Sequence, residues 1–313
     1  MKKINRLISL VLIFAAVAFL AACGSGQTAS ISKPALVSKV TQYDVDYSSD
    51  AGDWVEARSS EYEYKDAYPA TLSFTEYDNV TVTDFEYEFE DGRPVSMTKK
   101  ASDDDGYIKV SYTKKGLVNR VRTFDETGRK VGEQVFQYGN RDEYFTLVLH
   151  ENIISPAGEP VVDHMEEVDS VIITSENGLL RKTVNDGLFA NYNDEEEKIW
   201  RRFDGTYTAN FDKNGILDYT NAIYKTFPGS GNQDKFDLTV EDGRITEVVV
   251  SHWWPADTES EDASASEGDG QWSPTTRFVF EYTDTEISPA RYASMINYFL
   301  LEGGGNYYIY NWY

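Results

Sequence analysis

An all-β fold, one large antiparallel meander, is predicted by three features of this chain. Apolar residues recur with a period of two: Ile108, Val110 and Tyr112 alternate with Lys109, Ser111 and Thr113. That is the signature of strands with one dry and one wet face. Asp-Gly and Asn-Gly pairs punctuate the alternation, as at Asp91-Gly92, Asn177-Gly178, Asn214-Gly215 and Asp242-Gly243. Glycine takes the positive φ of a tight hairpin with no steric penalty. Helical spacing, by contrast, is well signalled in one stretch near the C-terminus. With 41% hydrophobic and 14% aromatic residues, the chain can fill a core despite its charge; disorder requires low hydrophobicity as well.

In chain order, the first element is a leader. Lys2, Lys3 and Arg6 precede an apolar run from Leu7 to Leu20, and small residues lead to Cys23, the only cysteine in 313 residues. Basic, apolar and small regions in that order mark a cleaved leader, and the run is short for a span, which needs about 20 apolar residues. Leu20-Ala21-Ala22-Cys23 resembles the lipobox of bacterial lipoproteins. The resemblance implies a signal peptide over 1–22, lipidation of Cys23, and a protein held by lipid on the extracytoplasmic face of the cell membrane. A diacylglyceryl group supplies the two acyl chains that stable anchoring takes. Once Cys23 is lipidated no thiol remains for a disulfide or for catalysis. Residues 23–42, rich in Ser, Ala, Gly and Lys, read as a flexible tether, and 43–313 as the β domain with its C-terminal helix.

Within that domain the apolar phase flips: Val80 and Val82 are even, whereas Phe85, Tyr87 and Phe89 are odd. A bulge or turn near Thr83-Asp84 would restore the register. Further strands are marked by Tyr207-Ala209-Phe211, Phe236-Leu238-Val240 and Phe278-Phe280-Tyr282 at alternate positions. A loose repeat runs through them: a strand end, polar residues, a glycine and a new strand, as in Thr113-Lys114-Lys115-Gly116, Asp125-Glu126-Thr127-Gly128 and Asp212-Lys213-Asn214-Gly215. It resembles the tyrosine-aspartate repeats of large bacterial surface and toxin-shell proteins, and is similar to gut-bacterial lipoproteins built as long β-meanders. The resemblance brings no catalytic residues. A sheet of a dozen or more strands tends to curl, so a curved or partly closed, barrel-like sheet is expected. The helix is placed at about 289–302: Ser288 is its N-cap, Pro289 its first residue, and Tyr292, Met295, Ile296, Phe299 and Leu300 its apolar stripe. Gly303–Gly305 would stop it, and the aromatic run Tyr307–Tyr313 would form a final strand. The helix is expected to cover or plug an open end of the sheet.

The formal charge of −24, deepened by loss of the leader's three cations, excludes a nucleic-acid partner, which needs a Lys/Arg surface. His150, His164 and His252 have no metal-ligand spacing, and neither a nucleophile elbow nor a phosphate loop occurs. No metal, cofactor or catalytic residue is therefore expected. Asn210–Asn221 approaches a twelve-residue calcium loop, but Asn221 at its last position cannot supply the bidentate carboxylate, so the segment reads as a glycine turn. The acidic loop 257–270 is flanked by Trp253, Trp254 and Trp272. These tryptophans either pack the sheet or stack on a sugar or a protein partner. The expected function is a non-enzymatic, surface-tethered binding or interaction protein for a glycan or a protein, with those three residues as contacts. The alternatives are a structural envelope lipoprotein without a small ligand, and a glycan hydrolase using two carboxyl groups about 5–10 Å apart.

Overall fold

Among the described residues the alternating stretches fold into seventeen strands: β1 (Ala35–Asp46), β2 (Asp53–Lys65), β3 (Tyr68–Glu76), β4 (Asn79–Glu90), β5 (Arg93–Ala101), β6 (Tyr107–Tyr112), β7 (Val118–Phe124), β8 (Lys130–Tyr138), β9 (Tyr144–Ile154), β10 (Pro160–Glu176), β11 (Leu179–Tyr192), β12 (Lys198–Arg202), β13 (Gly205–Phe211), β14 (Leu217–Tyr224), β15 (Gln233–Glu241), β16 (Arg244–Pro255) and β17 (Gly270–Glu286), followed by the helix α1 (Pro289–Leu300). This computed structural model describes residues 30–46, 52–114, 116–138, 144–154, 160–176, 179–192, 198–202, 205–224, 233–255 and 270–301.

All pairings are antiparallel and follow the chain from β1 to β11. β11 then pairs β13 through Lys182–Asn185 and β12 through Leu188–Tyr192. The order continues from β13 to β17, and β17 pairs back onto β1. Among the described residues, every strand apart from β12 thus has a hydrogen-bonded neighbour on both sides, and the expected barrel-like curl is carried round to its start. Closing a sheet on itself removes the unpaired edges that invite aggregation.

Turn chemistry explains the hairpins. Asp91-Gly92 and Asp242-Gly243 hold paired positive φ values, 51° and 75°, then 51° and 80°, as a two-residue hairpin turn demands. The longer repeat units close differently. In Asp125–Arg129 and Asp212–Ile216 the aspartate Oδ1 accepts the backbone N–H of the residues two and four places on, and Gly128 and Gly215 take φ of 78° and 77°. Thr113–Leu117 is the hydroxyl version: Leu117 N–H donates to Thr113 Oγ1. The near-miss calcium segment is therefore a side-chain-tied turn between β13 and β14, its carboxylate oxygens bonded to the turn itself.

One face of the sheet packs against α1, and here it is termed the inner face. Leu36, Val40, Phe236, Val248, Phe278 and Phe280 on that face join Tyr292, Met295, Ile296 and Leu300 of the helix in one core. Ser288 caps the helix by accepting from Arg291 N–H at 3.3 Å, with Pro289 following it. Asn297, Tyr292 and Arg291 bond the helix to turns: Leu217 N–H and Gly215 C=O, Ile245 N–H, and Ala67 C=O respectively. Those turns join β13 to β14, β15 to β16, and β2 to β3. Strand direction alternates, so all three lie at one end, which α1 covers as expected. The chain also enters the β unit there, where Ser32 and Lys33 N–H donate to Gly243 C=O.

Three expectations change. The tether over 23–42 is too long, because Ala35–Asp46 is strand β1, hydrogen-bonded to both β2 and β17. Ala35, Leu36 and Val37 are buried in succession across two register shifts, so no alternation announces them. The bulge near Thr83-Asp84 is absent: β4 pairs β3 in unbroken register through Asp84. Val80 and Val82 instead face outward, 61% and 37% exposed, while Thr83 is buried on the inner face with Phe85 and Tyr87 beyond it. The apolar phase flips but the backbone does not. The final strand over Tyr307–Tyr313 falls outside the described residues, as do the leader, Cys23 and most of the acidic loop.

Candidate functional site

At the end opposite α1, the outer ends of β16 and β17, beside those of β14 and β15, carry Trp253, Trp254 and Trp272. Trp253 and Trp254 are consecutive on β16, and successive side chains on a strand point to opposite faces. Trp253 pairs Trp272 of β17 across the outer face, rings 5.4 Å apart. Tyr219 meets Trp272 edge-on at 6.4 Å, and Lys235 Nζ lies 5.7 Å over the same ring. Gly270 makes this arrangement possible, since a Cβ there would come within 2.4 Å of the Trp253 ring. Trp254 stands on the inner face instead, half exposed, with its ring 4.7 Å from His252 and inclined at 67°. The expected trio is thus a pair and a single, split by the sheet.

His252 belongs to a polar row that sequence reasoning missed. The register sets Thr220, Asp234, His252 and Ser273 side by side across β14, β15, β16 and β17. His252 Nδ1 and Asp234 Oδ1 are 2.7 Å apart, and Thr220 Oγ1 donates to Asp234 Oδ2 at 3.1 Å. The row lies one inner-face position beyond Phe236, which belongs to the core, and Val250, which packs against it. Its signal in the sequence is incomplete. The Asp242-Gly243 turn alone would set Asp234 opposite Ser251, and only the one-residue shift between Thr239 and Val240 brings it to His252. Nearby, Tyr207 is held up at about 12, burial being the main cause.

The outer face is of opposite character. Lys39–Glu61, Arg277–Glu247 and Arg122–Glu133 pair across it at 2.6, 2.6 and 2.7 Å. A barrel that spans a membrane carries an apolar outer band, whereas these charged cross-strand pairs suit contact with water. Among the described residues no group of three or more His, Cys, Asp or Glu is placed to hold a metal ion.

No family model and no curated protein matches the chain. Among solved structures it is similar to a porin-like protein from Bacteroides uniformis, at 14% identity over 80% of this chain and 99% of that one, with a TM-score of 0.44. It is also similar to a porin-like protein from Bacteroides vulgatus, at 9% identity over 80% and 99%, with a TM-score of 0.41. A third, the TcdB2–TccC3 assembly, matches at 12% identity over 72% of this chain and 16% of that one, with a TM-score of 0.21. Likeness at this level carries no argument about function.

Proposed function

We propose that this protein is a lipid-anchored, extracytoplasmic binding module without enzymatic activity, whose contact surface is the β14–β17 end of the sheet. One observation carries the reading: aromatic rings and hydrogen-bonding side chains collect at the end opposite α1, and Trp254 is left half exposed among them. Rings beside polar groups suit a sugar or a protein side chain better than either alone. The charged outer face supports a domain held beside the bilayer rather than within it.

The test compares the full chain, purified in detergent from cells fed a tagged fatty acid, with two variants. Label should be present in the parent and absent from Cys23→Ala. On a glycan array, binding by the parent should be lost in Trp253→Ala/Trp254→Ala/Trp272→Ala. Equal labelling would remove the anchor, and undiminished binding by the triple variant would remove the contact surface.

A further inference from the structure

Resting on the binding-module reading, we propose that Thr220, Asp234 and His252 with Trp254 form a saccharide subsite on the inner face, separate from the outer Trp253–Trp272 pair. Polar side chains recur on the inner face, as at Gln42 and Thr83, but this row differs in continuing to a half-exposed tryptophan. Thr220 is buried, whereas Asp234 and His252 are part-buried, so the row is paired within itself and still reaches solvent. Asp234 is fixed through both oxygens, by His252 Nδ1 at 2.7 Å and Thr220 Oγ1 at 3.1 Å. A carboxylate at Nδ1 orients the imidazole and leaves Nε2 as the free ring nitrogen; among the described residues no group bonds it. Trp254 continues the same face outward, its position relative to His252 set by the edge contact at 4.7 Å.

The ligand class follows from what these groups leave open. Trp254 offers an exposed indole to an apolar ring face. Asp234 and His252 Nε2 offer acceptor capacity to hydroxyl donors, and Ser273, opposite His252 in the register, supplies a hydroxyl that donates or accepts. A pyranose presents both, with a C–H face for the indole and hydroxyls at its edge. A phosphate or carboxylate ligand would meet the Asp234 charge, and a wholly apolar one would leave Asp234 and His252 unsatisfied. A neutral sugar ring is the chemistry that satisfies every group in the row.

The experiment divides the two faces. The full chain is titrated with the neutral oligosaccharide that scores highest on the array, reading tryptophan fluorescence, alongside Trp254→Ala, His252→Ala, Asp234→Asn and the outer double variant Trp253→Ala/Trp272→Ala. Melting curves confirm that each variant is folded, and Trp254→Phe keeps a ring where Trp254→Ala removes it. The expected result is about tenfold or greater loss of affinity in the three inner variants, partial retention in Trp254→Phe, and little change in the outer one. Loss confined to the outer variant would overturn the subsite while leaving the binding module in place. A folded parent that binds no neutral glycan would overturn the subsite and leave the module to a protein ligand.

Discussion

Glu133 shows how one side chain on the outer face is held. It is 9% exposed, with Arg122, Lys130 and Arg120 at 2.7, 3.0 and 3.1 Å. Burial alone would raise its pKa, but hydrogen bonds from the three cations outweigh burial and bring it down to about 2, from an ordinary 4.5. A carboxyl whose pKa is lower folded than unfolded stabilises the fold above the unfolded value, and that contribution is lost as pH falls through the folded one. Glu133→Gln should therefore melt below the parent at pH 7. The gap should close as pH falls from 4.5 towards about 2, read from thermal melts across that range; a gap independent of pH would contradict the account. Other single residues teach about legibility. That Trp253 and Trp254 face opposite ways follows from strand period alone. That Asp234 meets His252 does not, because one inserted residue near Val240 decides it. A slip of one position exchanges the faces of every residue beyond it.

Between α1 and the sheet the decisive group is polar. Asn297 is fully buried, its Oδ1 accepting from Leu217 N–H and its Nδ2 donating to Gly215 C=O, both at 2.8 Å. The β13–β14 turn presents these backbone groups inward, and Asn297 satisfies both while the apolar stripe packs around it. Asn297→Leu adds apolar surface yet strands a buried donor and a buried acceptor, so it should destabilise by about 2–4 kcal/mol. Urea unfolding checks this; a neutral or stabilising change would show that the turn is satisfied without the helix. The helix itself was legible, Ser288, Pro289 and the apolar stripe all standing where capping and period put them. Asn297 was not legible as a pin, since a polar residue at that position reads locally as a solvent-facing one. The glycine turns were legible for the same local reason as the helix cap: Gly92, Gly128, Gly215 and Gly243 sit at positive φ, which glycine adopts without steric penalty, whereas the turns at Asp66-Ala67 and Tyr77-Asp78 take positive φ without a glycine and carried no such signal.

Across the β unit, closure depends on a strand that composition conceals. β1 pairs β2 on one side and β17 on the other, and brings Leu36, Val37 and Val40 into the core. A chain beginning at Tyr43 lacks most of that strand and leaves edges of β2 and β17 unpaired. It should lose cooperative unfolding and aggregate, whereas one beginning at Ile31 should unfold in a single transition; urea titration with light scattering distinguishes them. Equal cooperativity would mean that β1 merely lies against a sheet that is stable without it. Strand period, hairpin glycines and helix caps could all be read from the residues, because each expresses the conformational preference of a few neighbours in the chain. Joining β17 to β1, passing β11 from β13 to β12, and setting Trp272 against Trp253 required the folded chain. These contacts link residues far apart in sequence, and their register is settled by bulges and by packing against α1, where no local preference operates.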